Sequence, residues 1–377
     1  MTVVFRGRDE KEVHYEEALI DGKSVSYVRL VSYEMRIGSS IVRMGGVAGV
    51  ETKKEHRMKG YARRCMTRII KYMFDEGYDV SMLFGIPNFY TKFGYASCLP
   101  EHILTLNTRD AEEAQRRSEY TVRDFTEEDI ESVLRIYHDN NRRRTCTVLR
   151  GKDWKGFRPS RRPGYPPPAF VLEKEGRVVA YAAFHRSMDP DERYERYDYE
   201  FLVTEVGAEN SHSFSTVLNE LASRALERRF GQIRLSIPFD HPFAEYCHRF
   251  GAELRIKYPK NGGGMMRIIN QKTLFEKIKE ELQLRIDESN LKEGEVEVKT
   301  ELGSTLFTVE GGRLEVTEGK GRNRIDLPQS ILTQLVVGYR SVEDAINEDK
   351  VHVKGNIRLL KVLFPKSFPY IWRIDRF

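Results

Sequence analysis

"HRMKGYARRC", residues 56–65, is the stretch on which the fold reading turns. It opens a helix, yet Arg57, Lys59, Arg63 and Arg64 surround that opening and no acidic residue caps it. The first turn of a helix carries N–H groups without internal partners, and its end is positive. Adding cations to a positive end suits an anion, and phosphate is the usual one. Gly60 and Ala62 are small, so the backbone there can approach a ligand closely.

Working outward, the flanks supply a context for that helix. "SVSYVRLVSYEMRIGSSIVRMGGVAGVET", residues 24–52, alternates apolar and polar residues and predicts strands, with turns at Asp21-Gly22 and Gly38-Ser39-Ser40. Over 60–76, Ala62, Met66, Ile69, Ile70 and Met73 recur on one helical face, and Gly77 is the C-cap. "DVSMLFGIP", 79–87, is a short buried strand, followed by "NFYTKFGYASCL". Strand, cation-rich helix, strand is a βαβ-like unit.

The chain has 377 residues, enough for two to three domains. A formal net charge of +5, from 62 cations and 57 anions, describes a mixed surface and no nucleic-acid tail. Cys65, Cys98, Cys146 and Cys247 are far apart and without zinc-site spacing, which predicts four reduced thiols in a cytoplasmic protein and no metal. His56, His185 and His241 have no ligand-like neighbours. The N-terminus lacks an apolar signal segment, and no apolar run is long enough to span a membrane.

A second segment begins near residue 119. "YTVRDFTEEDIESVLRIYHDNN" is a strand and then a helix with Thr126 as N-cap and Asp129 in the capping-box position. "GFRPSRRPGYPPPAF", 156–170, is loop; "FVLEKEGRVVAYAAFHR" is a hairpin; "FSTVLNELASRALERRFG" is a helix and "QIRLSIPFD" a strand. Strand, Ile-Pro, an aromatic stretch and Phe-Gly recur at Phe93-Gly94 and at Phe250-Gly251, which reads as a duplicated domain. "NGGGMMRIIN", 261–270, reads as the joint to a third, α+β unit, with "TLFEKIKEELQLRI" as one amphipathic helix, then strands, then two short helices. Three arginines at 142–144 read as a solvated helix end, not a nucleic-acid site.

Arg57-x-x-Gly60-x-Ala62, between a strand and a helix, resembles motif A of the GNAT acetyltransferases, whose backbone N–H groups wrap the pyrophosphate of coenzyme A. The dinucleotide fingerprint G-x-G-x-x-G is absent. "FYTKFGY", the two similar halves, the third unit and the aromatic C-terminus together resemble the Eis-type (enhanced intracellular survival) acetyltransferases over nearly the whole chain. The resemblance implies a mixed α/β (α+β) fold of two tandem GNAT-like domains, 1–118 and 119–265, and a sterol-carrier-protein-like domain, 266–377. It implies acetyl-CoA as co-substrate, held by Val50, Glu51, Thr52, Arg57, Met58, Lys59, Gly60, Tyr61, Ala62, Arg63, Gly85 and Ile86. Tyr90 would be the general acid and the C-terminal carboxylate of Phe377 the base.

Those roles fit the reaction. An amine must lose a proton before it attacks a thioester, and the leaving thiolate is helped by a phenol proton. The resemblance further implies a homo-oligomer, a hexamer in that family. The acceptor is a small-molecule amine or a lysine side chain, with polyamine and aminoglycoside both open. No nucleic-acid or membrane partner is expected. The alternative is a catalytically weak scaffold or ligand-binding protein on the same domains. Two departures stand out. Residues 201–218 lack the phosphate motif, and Cys247 stands where Tyr90 stands in the first half, so the second half is expected to bind no coenzyme A. The residues before Val47 read as strands and leave no room for the two helices that wall the acceptor site in GNAT domains, so the pocket is expected to be open, or the reading frame to start late.

Overall fold

A computed structural model describes residues 2–154, 157, 169–184 and 201–377. Most of the Pro-rich run at 156–170, and His185, lie outside the described residues.

The first sheet begins as an antiparallel meander of Val3–Glu10, Val13–Ile20, Lys23–Ile37 and Ser40–Thr52. Ser40–Thr52 then pairs in parallel with Val80–Gly85, and helix Tyr61–Asp75 crosses between them. That helix buries Cys65, Met66, Ile69 and Met73 against one face of the sheet, as its spacing predicts. Gly45 and Gly46 let neighbours approach from opposite faces. A Cβ on Gly45 would lie 2.4 Å from Met73 Sδ, and one on Gly46 would lie 2.8 Å from the ring of Phe377.

The two halves exchange a strand. Glu101–Asn107 sits in the second sheet between Glu253–Lys257 and Gln232–Leu235. In return, Gly263–Ile268 sits in the first sheet between Val80–Gly85 and Ala96–Leu99. The stretch read as a joint is therefore a central strand. Met265 packs on the helix side and Met266 on the other, so both faces are buried. Glycines placed there for close packing look in sequence like a linker: a Cβ on Gly264 would lie 2.7 Å from Leu99.

The second sheet repeats the plan of the first. Phe201–Ala208 runs parallel to Gln232–Leu235 with helix Phe214–Glu227 between them, and Gly94 and Gly251 end the two Phe-Gly turns with φ of +79° and +70°. Thr126 and Asp129 form the expected capping box.

The third sheet has the order Arg313–Thr317, Gly303–Glu310, Gly294–Thr300, Arg324–Asp326, His352–Lys354. The helix expected over 273–286 is instead two, Gln271–Lys277 and Lys279–Ser289. Each is tied to the first unit by a different carboxylate. Buried Asp79 accepts from Thr273 Oγ1 and Lys277 Nζ, while Glu281 accepts from the Ser39 amide and hydroxyl. Met35, Met44 and Met82 on the far face of the first sheet share one continuous core with Phe275, Phe307 and Phe364 of the third unit.

Candidate functional site

The parallel pairing of Ser40–Thr52 with Val80–Gly85 stops at Gly46 and Met82, although both strands continue. On its other side Tyr27 pairs with Glu51 and Arg29 with Ala48, so Gly49 and Val50 together oppose Val28. This is a β-bulge, which bends the strand end and re-aims Val50–Thr52. The strands part, and a cavity of about 730 Å³ opens between their ends and the start of helix Tyr61–Asp75.

Val50, Glu51, Thr52, Arg57, Met58, Gly60, Tyr61, Ala62, Arg63 and Ile86 all line that cavity, and so does Tyr90. Of the sequence-derived cofactor-binding residues, two do not. Lys59 is exposed beside it, and Gly85 lies behind Tyr90, where a Cβ would come within 2.4 Å of the ring. His56, Phe89 and Lys92 also line it. They were missed although they adjoin the motifs themselves, because neighbours of a motif carry no periodicity of their own. Helix Tyr61–Asp75 has no side-chain cap and no acid in its first turn. Gly60 before it is left-handed, at φ +78°, and nothing lies within 4 Å of its Cβ position. Bare N–H groups and Arg57 and Arg63 thus face a cavity that fits a phosphate-bearing ligand.

Tyr90 begins a 3₁₀ turn, Tyr90–Phe93, and packs edge-on to Phe89 and Tyr95 at 4.8 and 6.4 Å between ring centroids. Its side chain is largely buried, and its hydroxyl has no hydrogen-bond partner among the described residues. Burial raises its pKa above the ordinary phenol value, so it keeps its proton at neutral pH. Two side chains brace the turn: Gln329 Nε2 of the third unit donates to Gly94 O at 2.6 Å, and Arg267 Nη1, on strand Gly263–Ile268 of the first sheet, donates to Phe93 O at 2.5 Å.

The C-terminal residues run across the second unit toward the first. Tyr370 and Trp372 are buried in the second unit's core, with Tyr370 Oη donating to Ser236 O at 2.5 Å and Trp372 Nε1 to Asn141 Oδ1 at 2.9 Å. Ser236 N bonds Val203 O at 2.8 Å, continuing the ladder where the first unit's strands separate. Asp375 meets Arg150, which also holds Glu205 in a bidentate pair at 2.8 and 2.6 Å. All three are buried. Burial raises the Asp375 pKa, and the Arg150 charge opposes that rise. Two residues on, the Phe377 ring stacks on Tyr33 at 5.1 Å and meets Phe84 edge-on at 5.8 Å. The chain end therefore lies on the face opposite the helix, at the point where the two strands part.

The other sequence features have structural partners. Arg142 pairs with Asp139, Arg143 with Glu288 and Arg144 with Asp240. All four cysteines are buried and unbridged, and burial pushes the Cys65 thiol up to about 12. Among the described residues no group of three or more His, Cys, Asp or Glu could hold a metal ion. No helix among them is long and apolar enough to cross a membrane.

Comparison with known proteins agrees with this geometry. Residues 9–98 match the acetyltransferase (GNAT) domain. A protein of Enterococcus faecalis V583, described as a "probable N-acyltransferase", superposes with a TM-score of 0.76 at 17% identity, covering 97% of this chain and 90% of its own. A GCN5-related N-acetyltransferase of Anabaena variabilis gives 0.74 at 15% identity, with 96% and 89% covered. Eis1 of Mycobacterium abscessus gives 0.65 at 15% identity, with 95% and 90% covered. No curated protein matches the chain. The chain carries a GNAT acetyltransferase domain over residues 9–98, which supports an acetyltransferase, and the solved structures share its mixed α/β fold of two GNAT-like sheets and a third sheet.

Proposed function

We propose that the protein transfers acetyl from acetyl-CoA to a primary amine by direct attack, in the manner of the Eis-type enzymes it resembles. The observation that carries this reading is the meeting of the Arg57-to-Arg63 loop, the strand end Val50–Thr52 and Tyr90 around one cavity. The bare N–H groups of Gly60 to Arg63 hold the pyrophosphate, and the separated strands receive the pantetheine arm.

Chemistry follows from the remaining groups. The amine nitrogen attacks the thioester carbon, with the carbonyl oxygen held by an N–H at the Val50–Thr52 strand end. The C–S bond breaks, its electron pair goes to sulfur, and Tyr90 supplies the proton. The Phe377 carboxylate, directly or through one water, receives the amine proton. In this reading the second unit makes no chemistry, and the third, sterol-carrier-like unit braces Tyr90 and brings the chain end to the site. The protein works in the cytoplasm as a homo-oligomer.

Titrating the protein with acetyl-CoA and following thiol release with a panel of amines tests the reading. Gly60→Glu puts bulk and negative charge where phosphate sits, and it should abolish binding. Gly60→Asn is the control, because Asn tolerates the left-handed conformation without a charge. If the Glu variant binds acetyl-CoA like the parent, the assignment is wrong.

A further inference from the structure

The far face of the first sheet holds a second cavity, of about 670 Å³. It shares Glu51, Thr52 and Arg57 with the first cavity, so the two meet across the end of strand Ser40–Thr52. It lies on the face opposite helix Tyr61–Asp75. Val28 and Leu30 point to the helix, whereas Tyr27 and Arg29 line this trough and Tyr33, further along the same strand, carries the Phe377 ring. The trough is therefore on the side where the chain end arrives, and the strands Val3–Glu10 and Val13–Ile20 form its floor in place of helices.

Its charge is one-sided. Five cations line it, Arg8, Arg29, Lys53, Lys54 and Arg57, against two carboxylates, Glu17 and Glu51. Both carboxylates are engaged: Glu17 binds Arg8 Nε at 3.0 Å, and Glu51 faces its register partner Tyr27. The surplus is positive. Two buried polar atoms of the lining, Arg29 Nε and Ser24 Oγ, have no hydrogen-bond partner among the described residues. A buried donor left without a partner in a folded chain calls for a water, an ion or a ligand to complete it, and here it borders an open, positively charged trough.

Given the acetyltransferase reading above, on which this rests, we infer that the trough is the acceptor subsite and takes a primary amine that also carries an anionic group, a carboxylate or a phosphate. Arg29 receives the anion. A polyamine or aminoglycoside meets like charges there instead. The surplus also favours the neutral, nucleophilic form of the acceptor amine, because a nearby cation disfavours its protonation. The reaction is unchanged: the N–C bond forms, the C–S bond breaks, and the amine proton leaves to the base.

The test uses the full-length protein with O-phosphoethanolamine and γ-aminobutyrate as anionic probes, and spermidine and kanamycin as polycationic ones. Thiol release from acetyl-CoA should show kcat/KM at least tenfold higher for one of the anionic probes than for either polycation. Which of the two is preferred separates phosphate from carboxylate. Arg29→Gln should raise KM for that probe tenfold or more while leaving kcat and coenzyme A affinity near the parent's, and Arg29→Lys should restore part of the loss. Preference for spermidine or kanamycin, or an unaltered KM in Arg29→Gln, overturns the inference and leaves the transferase reading standing. Calorimetric titration of both anionic probes, with and without coenzyme A, covers an acceptor too poor to turn over. Binding lost in Arg29→Gln supports the subsite, and no binding to the parent overturns it. Failure of acetyl-CoA itself to bind is a failure of the transferase reading.

Discussion

Arg150 and Asp375 form a fully buried ion pair, Nε to Oδ1 and Nη2 to Oδ2, both at 3.0 Å. It ties the last three residues to the second unit through Glu205 and to Tyr137, whose hydroxyl donates to Asp375 at 3.2 Å. Asp375→Ala leaves Arg150 with one carboxylate in a dry site. Breaking such a pair by removing one partner costs about 3–5 kcal/mol. We expect the variant to lose stability by that order in denaturant unfolding, and to lose kcat at least tenfold at temperatures where it is folded. Coenzyme A affinity should stay near the parent's, since the cofactor cavity does not touch the pair. Unchanged kcat in the folded variant would make the pair structural only.

The ring of Phe377 lies across Gly46, so a side chain there displaces the chain end without altering its chemistry. Gly46→Val and an extension of a few residues beyond Phe377 should both abolish acetyl transfer while acetyl-CoA still binds. The tolerance is narrow because proton transfer needs heavy atoms near 3 Å apart or one bridging water. Full activity in a C-terminally tagged protein would exclude the carboxylate as base.

Tyr90→Phe keeps the ring that packs on Phe89 and Tyr95 and removes only the proton. We expect turnover to fall by about 10² or more, the usual range for a lost general acid, with coenzyme A affinity unchanged. Burial raises the Tyr90 pKa, so the phenol stays protonated beyond its ordinary range. In the parent, the rate should therefore hold through pH 9 with no alkaline limb from this group. A limb that begins near pH 8 and vanishes in Tyr90→Phe would contradict the burial shown here.

Two buried histidines set an acid limit on stability. Burial lowers His102 to about 4, and burial together with Arg144 lowers His241 to about 3. Each stays neutral in the folded chain, while the unfolded chain takes up protons below about pH 6.5. The unfolded state therefore binds more protons as pH falls from about 6.5 toward 4, and stability drops over that window. At 1.36 kcal/mol per unit the full effect is roughly 3 kcal/mol for His102 and roughly 5 kcal/mol for His241. Unfolding midpoints at pH 7.5 and pH 5 measure it. His241 accepts the Phe243 amide as an N-cap, a role Asn also fills. His241→Asn should narrow the difference between the two pH values, and an undiminished difference would remove His241 from the account.

The local elements and the ligand loop are legible along the chain. Apolar spacing placed the helix now seen at Tyr61–Asp75, and Thr126 with Asp129 announced their capping box. The Arg57–Ala62 motif sits where a strand end meets a helix start, and most of its residues line one cavity. These are short-range facts, because propensity, capping and periodicity act within a few residues. Tertiary structure alone decided which strands pair. Gly263–Ile268 joins a sheet whose other strands lie more than 160 residues earlier, and its glycines exist for contacts invisible along the chain. It alone brought Phe377 over Gly46, Gln329 to Gly94, and Arg150 to Asp375. It also gathered Arg29, Lys53 and Lys54 into one trough, though each reads in sequence as an ordinary surface charge. Burial and electrostatics depend on distance through space, and only the packed sheets set those distances.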